Sequence, residues 1–160
     1  MKPVLPTYVL VANRASAALF RTQGPNQAPD LVQRFDNPKG RLKSGEIDSD
    51  RPGRAFDRMG ANRHSLSAEE SPTDRVAHDF ARQLAEHLDG GRERGDFDQL
   101  GLIASPRMLG HLRAALSKPT RALVYGELAK DLGDPEPHEL VPYLEALAHS
   151  PVRAPLGGRR

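Results

Sequence analysis

The chain opens with two short apolar runs of strand length. Thr7–Ala12 reads TYVLVA and Ser16–Arg21 reads SAALFR, and both are rich in residues that favour extended backbone. The Asn13-Arg14 pair between them is typical of a tight turn. We therefore predict a β-hairpin at the start of the fold.

A third strand is predicted at Asp30–Asp36, after the turn sequence Gly24-Pro25-Asn26. Its residues alternate between apolar and polar, which is typical of a strand exposed on one side. Strict alternation places Leu31, Gln33 and Phe35 on one face and Val32 and Arg34 on the other. The three strands together predict an antiparallel meander with the third strand at an edge.

From residue 71 onward the pattern becomes helical. Ser71-Pro72-Thr73-Asp74 predicts a helix start, because serine caps free N–H groups, proline suits the first helical position and Asp74 complements the helix dipole. Gly90-Gly91 predicts the end of this helix. The apolar positions recur every four residues: Val76, Phe80, Leu84 and Leu88.

Two further strand–helix pairs follow. The continuous apolar run Leu100–Ala104 predicts a strand buried on both faces. Ser105-Pro106 predicts the next helix start, Thr120–Tyr125 a fifth strand, and Asp134-Pro135 the start of the last helix. The order βββ–loop–α–β–α–β–α predicts the α/β class, with a mixed five-stranded sheet and helices on its faces. The helical stripes expected to face the sheet are Met108, Leu109, Leu112 and Leu116, then Leu140, Val141, Leu144 and Leu147.

Composition narrows the chemistry that this domain can perform. The 160 residues include no cysteine, which excludes disulfides, thiolate nucleophiles and sulfur-ligated zinc. No apolar run reaches the length of a membrane span, and the short N-terminal run lacks the form of a signal peptide. We expect one domain over residues 1–150, a flexible tail over 151–160, a cytoplasmic location and no cofactor.

Residues 37–70 form a long segment rich in Gly, Pro, Ser and charged residues, and we predict a basic loop there. Residues 1–64 carry a net charge of +5 and the rest of the chain −3. One interpretation is a flexible arm that binds phosphate; the other is a solvated loop whose charges pair locally. The candidate nucleic-acid-binding residues are Lys39, Arg41, Lys43, Arg51, Arg54, Arg58, Arg63 and His64.

Other candidate sites are weaker. Glu127, Lys130 and Asp131 are predicted to cluster at the carboxyl edge of the sheet, where open α/β sheets bind ligands, or else to pair locally on a helical turn. Ser105 follows a buried strand as an esterase nucleophile does, but it lacks the G-x-S-x-G context and is interpreted as a helix cap. The histidines show no metal-ligand spacing, so no metal site is predicted.

Several phrases of the chain resemble the bacterial host attachment protein family. They are TYVLVANRASAALF, PGRAFDRMGANRHS, HDFARQLAEHL, FDQLGLIASPRMLGHLRAAL and ELAKDL, and they fall within residues 7–147. That family is similar to the middle domain of archaeal and eukaryotic class-1 peptide-chain release factors. The resemblance implies a ribonuclease H-like fold.

In those release factors, the loop before the first long helix carries a Gly-Gly-Gln tip that enters the ribosomal peptidyl-transferase centre. The corresponding segment here is 37–70, and its nearest phrase, Gly60-Ala61-Asn62, does not match. The resemblance therefore does not imply peptidyl-tRNA hydrolysis.

Three functions are compatible with these patterns. The first is a non-enzymatic module that associates with RNA or the ribosome, with rRNA or tRNA as partner. The second is an intracellular protein-interaction or regulatory module linked to host-cell attachment. The third is a hydrolase that uses His64 or the edge cluster Glu127–Asp131.

Overall fold

A computed structural model of the protein describes residues 6–24, 26–43 and 71–150. The described strands form one five-stranded sheet in the order β3-β2-β1-β4-β5. The strands are β1 Thr7–Ala12, β2 Ser16–Thr22, β3 Asp30–Asp36, β4 Gln99–Ala104 and β5 Val124–Ala129. The helices are α1 Pro72–Arg94, α2 Pro106–Ala115, α3 Lys118–Arg121 and α4 Val141–Ala148, with 3₁₀ turns at Pro38–Arg41 and Pro137–Leu140.

The sheet is mixed, as the sequence predicts. β1 pairs antiparallel with β2 and parallel with β4, while β3 extends the meander at one edge and β5 lies parallel to β4 at the other. The predicted α/β class and five-stranded mixed sheet are confirmed. The narrower ribonuclease H-like and release-factor assignments stay predictions.

The sheet is covered on both faces, and each face has its own apolar core. On one face α1 and α2 pack through Phe80, Leu84 and Leu112 against Leu10 and the residues that share its side of the sheet. On the other face the shorter α4 contributes Leu144 and Leu147. The residues buried under α4 from the sheet are Val9, Val11, Ala18, Phe20 and Ile103.

None of the described helices has both the length and the apolar character that a membrane span needs. The predicted basic loop 37–70 is described as far as Lys43, and the predicted tail 151–160 lies outside the described residues.

The first long helix begins as predicted but ends later. The Ser71 hydroxyl accepts a hydrogen bond from the Asp74 N–H at 3.1 Å, which confirms the predicted cap. The predicted end at Gly90-Gly91 is wrong, because α1 continues to Arg94 and closes at Gly95, where φ is +78°. Gly91 is instead a contact point, since a Cβ there would lie 3.2 Å from the Phe97 ring.

The predicted fifth strand at Thr120–Tyr125 is displaced by four residues. Residues 118–121 form the short helix α3, and β5 runs from Val124 to Ala129. The Ser117 hydroxyl accepts from the Thr120 N–H at 3.4 Å and donates to Asp89 on α1 at 2.6 Å. This side-chain cap and its carboxylate partner stabilise a helical turn where local propensity favours a strand.

The last helix also begins later than predicted. Asp134-Pro135 lies before the 3₁₀ turn, which opens at Glu136 through a reciprocal capping box with Glu139. The α-helix itself starts at Val141. The predicted inward residues Leu140, Leu144 and Leu147 are buried, whereas Val141 is only partly buried.

The alternation predicted for β3 is interrupted. Gln33 pairs with Leu19 and Leu31 with Phe20, so Val32 is an extra residue in a β-bulge. Leu31 therefore lies on the face of Phe20, opposite to the face of Phe35. The prediction that Leu31, Gln33 and Phe35 share one face is wrong, because the bulge shifts the period of two by one residue.

The revised end of α1 makes a prediction about two glycines. Gly90→Ala should leave stability unchanged or raise it by up to about 1 kcal/mol, because Gly90 lies inside a helix and a Cβ there meets only the flexible Arg94 side chain. Gly95→Ala should lower stability by about 1–2 kcal/mol, because alanine is strained in the left-handed conformation. Urea unfolding measures both, and a destabilised Gly90→Ala with a neutral Gly95→Ala would contradict the assignment.

Candidate nucleic-acid interface

The described segments on either side of the predicted basic loop both lie at the carboxyl edge of the sheet. The strands β1, β4 and β5 are parallel and end at this edge. β3 also ends there, because β2 is antiparallel to both β1 and β3. Segment 37–43 leaves β3 at this edge. α1 also begins here, since Asp74 in its first turn meets Arg107 at the start of α2, directly after β4. Lys43 and Ser71, the described residues on either side of this gap, belong to segments that meet the body at this edge.

The first part of the basic segment is fixed to the β1–β2 turn. The Asn37 side-chain amide donates to the Arg14 carbonyl at 2.8 Å, and the Arg14 Nε donates to the Gly40 carbonyl at 2.8 Å. Gly40 lies so close that a Cβ would approach the Arg14 carbonyl oxygen to 2.1 Å. The 3₁₀ turn Pro38–Arg41 is therefore held at the carboxyl edge by a side-chain clamp and a close backbone approach.

This clamp places the described members of the predicted basic set in solvent. Lys39, Arg41 and Lys43 are all exposed. Arg41 forms an ion pair with Asp36 at 2.6 Å, and both partners are more than half exposed. An exposed pair of this kind contributes at most about 1 kcal/mol, so a phosphate can replace the carboxylate at small cost.

The remaining members of the predicted set lie outside the described residues. They are Arg51, Arg54, Arg58, Arg63 and His64. Their role in nucleic-acid binding stays a prediction.

A second group of charged residues at this edge was missed by the sequence reasoning. Arg107 contacts both carboxylate oxygens of Asp74, at 2.8 and 2.9 Å. His111 Nε2 lies 3.9 Å from Asp74, and its ring meets the His78 ring edge to face at a centroid distance of 5.7 Å. The sequence did contain a signal for this group, namely the two Ser-Pro helix starts at Ser71 and Ser105. Helices that begin at the same edge of a sheet bring their first turns close together.

The predicted cluster of Glu127, Lys130 and Asp131 does not form. Glu127 lies inside β5 and pairs with Arg113 on α2 at 2.6 Å. Asp131 accepts hydrogen bonds from the Asn13 amide at 3.1 Å and from the Gly133 N–H at 2.9 Å. The alternative of a helical turn with local pairs is also wrong, because residues 127–129 belong to the strand β5.

Asn13 organises the turn at the end of β1. Its Oδ1 accepts from the Ala15 and Ser16 N–H groups at 2.9 and 3.0 Å, and its Nδ2 donates to Asp131. Asn13 therefore connects the β1–β2 turn with the segment that follows β5.

The Ser105 side chain makes no capping hydrogen bond, although the helix does begin after it. Ser105 is thus the N-cap residue of α2, as interpreted, but it caps without a side-chain hydrogen bond. Within residues 6–24, 26–43 and 71–150, no three His, Asp or Glu side chains are arranged to hold a metal ion.

Sequence comparison places the chain in a family. Residues 8–144 match the family model described as "protein required for attachment to host cells". The chain belongs to this host attachment family. The resemblance noted from the quoted phrases is confirmed at that level, and the matched range includes all of the sheet except Thr7, together with both long helices on its first face. No match was found among curated proteins.

The clamp at Gly40 makes a prediction about stability. Gly40→Ala should lower the free energy of unfolding by about 1–3 kcal/mol, because the new methyl group would overlap the Arg14 carbonyl and displace the turn. Gly110→Ala is the matched control, since nothing lies within 4 Å of a Cβ at this helical position. Urea unfolding of both variants measures the difference. Equal stability of the two variants would contradict the close approach.

Proposed function

We propose that this member of the host attachment family is a non-enzymatic, intracellular module that binds RNA, with ribosomal RNA or tRNA as partner. The observation that carries the proposal is the anchoring of the basic segment. Asn37, Arg14 and Gly40 hold the turn that carries Lys39 and Arg41 at the carboxyl edge of the sheet. The surface offers guanidinium and ammonium groups at a fixed position, and both suit phosphate oxygens.

The sequence of residues 44–70 supports the same function. It adds Arg51, Arg54, Arg58 and Arg63 to the cations of the anchored turn. The resemblance to release-factor middle domains concerns this segment, because their corresponding loop reaches into ribosomal RNA. The absence of a Gly-Gly-Gln phrase favours binding without peptidyl-tRNA hydrolysis.

The RNA proposal predicts that binding depends on the cations of this edge and on salt. Lys39→Gln/Arg41→Gln/Lys43→Gln should weaken binding to a fluorescent tRNA and co-sedimentation with ribosomes by about tenfold or more. The magnitude of the slope of log affinity against log salt should fall by about 2–3, because three phosphate contacts are lost. Arg54→Gln/Arg58→Gln/Arg63→Gln tests the loop in the same way.

The control removes three exposed cations elsewhere: Arg82→Gln/Lys118→Gln/Arg121→Gln. This variant has the same net charge as the first triple variant and should bind within twofold of the unmodified protein. The proposal fails if the unmodified protein binds neither probe at low salt. It also fails if the control variant loses as much affinity as the other two.

A second function is favoured by a different observation. Leu31 and Val32 on edge strand β3 are 40% and 41% exposed, and they are the large apolar side chains most exposed among the described residues. Apolar groups on an edge strand suit contact with a protein partner. The family description, attachment to host cells, is compatible with such an interaction.

The protein-interaction alternative predicts a partner that nuclease treatment does not remove. In an affinity pull-down followed by mass spectrometry, Leu31→Lys/Val32→Lys should abolish capture of that partner. Ala114→Lys, exposed on α2, is the control and should retain it. Loss of the partner on nuclease treatment, or its retention by the β3 variant, would count against this function.

A further inference from the structure

A cavity of about 710 Å³ lies at the amino end of the parallel strands, opposite to the carboxyl edge of the sheet. It is bounded by the first residues of β1 and β4, by the last residue of β2 and by the end of α4. Its volume falls in the range of about 300–1,000 Å³ that is typical of small-molecule sites.

The sheet contributes a row of uncharged polar side chains to this cavity. Thr7 pairs in register with Thr22 on β2 and with Gln99 on β4. Val9 and Phe20, which lie two residues from Thr7 and Thr22 along their strands, are buried in the core under α4. Because side chains two residues apart share a face of a strand, the whole row lies on the face that α4 covers.

Arg21 is the one charged residue among the described residues that line the cavity. It pairs in register with Tyr8, whose ring stacks on Phe97 in the core under α1 and α2. The Arg21 side chain therefore lies on the opposite face of the sheet, where it pairs with Asp30 at 3.3 Å. The cavity thus offers hydroxyl and amide groups, and an ion placed there would lose hydration without gaining a counter-charge.

The amide of Gln99 is oriented by its neighbour in the row. Its Oε1 accepts from the Thr7 hydroxyl at 3.2 Å, and no described residue accepts a hydrogen bond from its N–H groups. The oxygen keeps a second lone pair. Gln99 therefore presents a donor and an acceptor side by side.

Tyr125 supplies a further donor. Its ring lies over Gly101, which shares the face of Gln99, and a Cβ at Gly101 would lie 3.3 Å from the Tyr125 hydroxyl oxygen. The hydroxyl makes no hydrogen bond to a described residue, yet every buried polar side-chain atom in the described ranges has a partner, so this oxygen is reached by solvent. Burial raises the pKa of Tyr125, so the hydroxyl stays protonated near neutral pH.

The rest of the described lining is largely apolar. Leu144 and Ala148 come from α4, and Pro6 precedes β1. A flat molecule with a polar edge and apolar faces satisfies both kinds of surface, because its edge can bond the amide while its faces contact carbon atoms.

We propose that this cavity binds an uncharged nucleoside through its base, with adenine as the preferred base. The Gln99 amide donates to a ring nitrogen and accepts from the amino group of adenine, which is the bidentate pairing that glutamine makes with this base. The Tyr125 hydroxyl donates to a further acceptor of the nucleoside, and the faces of the base pack against the α4 side chains. This site is separate from the proposed RNA interface, so each can fail without the other.

The probe for the test is adenosine, added to the full chain at millimolar concentration and followed by NMR. Backbone signals of Thr7, Thr22, Gln99 and Tyr125 should shift on binding. Purine riboside lacks the amino group and should bind more weakly by about fivefold or more, because the Gln99 oxygen then meets no donor. Adenosine monophosphate should bind no more tightly than adenosine, because no cation of the described lining faces its phosphate.

Two variants test the named groups: Gln99→Leu and Tyr125→Phe. Each should weaken adenosine binding by about fivefold or more, and Tyr125→Phe should do so with an unchanged melting temperature, because it removes only a hydroxyl group. Gln33→Leu is the matched control, since Gln33 is an exposed strand residue that pairs with Leu19 on the other face of the sheet. It should bind as the unmodified protein does.

Four outcomes would overturn the proposal. They are the absence of any shift at the cavity, purine riboside binding as tightly as adenosine, normal binding by both Gln99→Leu and Tyr125→Phe, and an equal loss in Gln33→Leu. Binding of adenosine monophosphate about tenfold more tightly than adenosine would overturn the assignment of an uncharged ligand, because it would require a cation at the site.

Discussion

The structure depends on β1, which is the middle strand of the sheet and is hydrogen-bonded on both sides. Its successive side chains point to opposite faces, so Val9 belongs to the core under α4 and Leu10 to the core under α1 and α2. Both cores therefore share one six-residue strand. Burying each such side chain contributes roughly 1.5–3 kcal/mol, so this central strand stabilises both layers at once.

The end of β1 fixes the geometry of the carboxyl edge. Asn13 holds the following turn through its own side chain and contacts Asp131 beyond β5, while Arg14 and Gly40 bring the segment after β3 against the same turn. Segments far apart in the chain are thereby joined at one place. The RNA binding proposed for this edge is favoured by such rigidity, because a cation held in position loses less conformational entropy when it binds a phosphate than a freely moving one does.

The two ends of the sheet differ in chemistry because their coverings differ. At the carboxyl edge, two helices begin side by side, and their first turns add Asp74, Arg107 and His111 to the basic segment. At the amino end, Thr7 and Gln99 line a cavity beside the short α4, together with Tyr125. One sheet therefore presents a charged edge at one end of its strands and a partly apolar cavity at the other.

The sequence by itself determined the order of elements, the α/β class, the edge position of β3, and the caps and apolar stripes of the long helices. These features are local, because hydrophobic period and capping chemistry act within a few residues. It also indicated that Lys39, Arg41 and Lys43 belong to a basic surface. Only the tertiary structure decided that Glu127 pairs with Arg113, that α1 passes Gly91 to end at Gly95, and that β3 bulges at Val32. Each of those outcomes depends on a neighbour outside the element itself: an arginine on α2, the Phe97 ring after α1, or the pairing with β2. Such contacts leave no local pattern, and they arise only when the two layers pack.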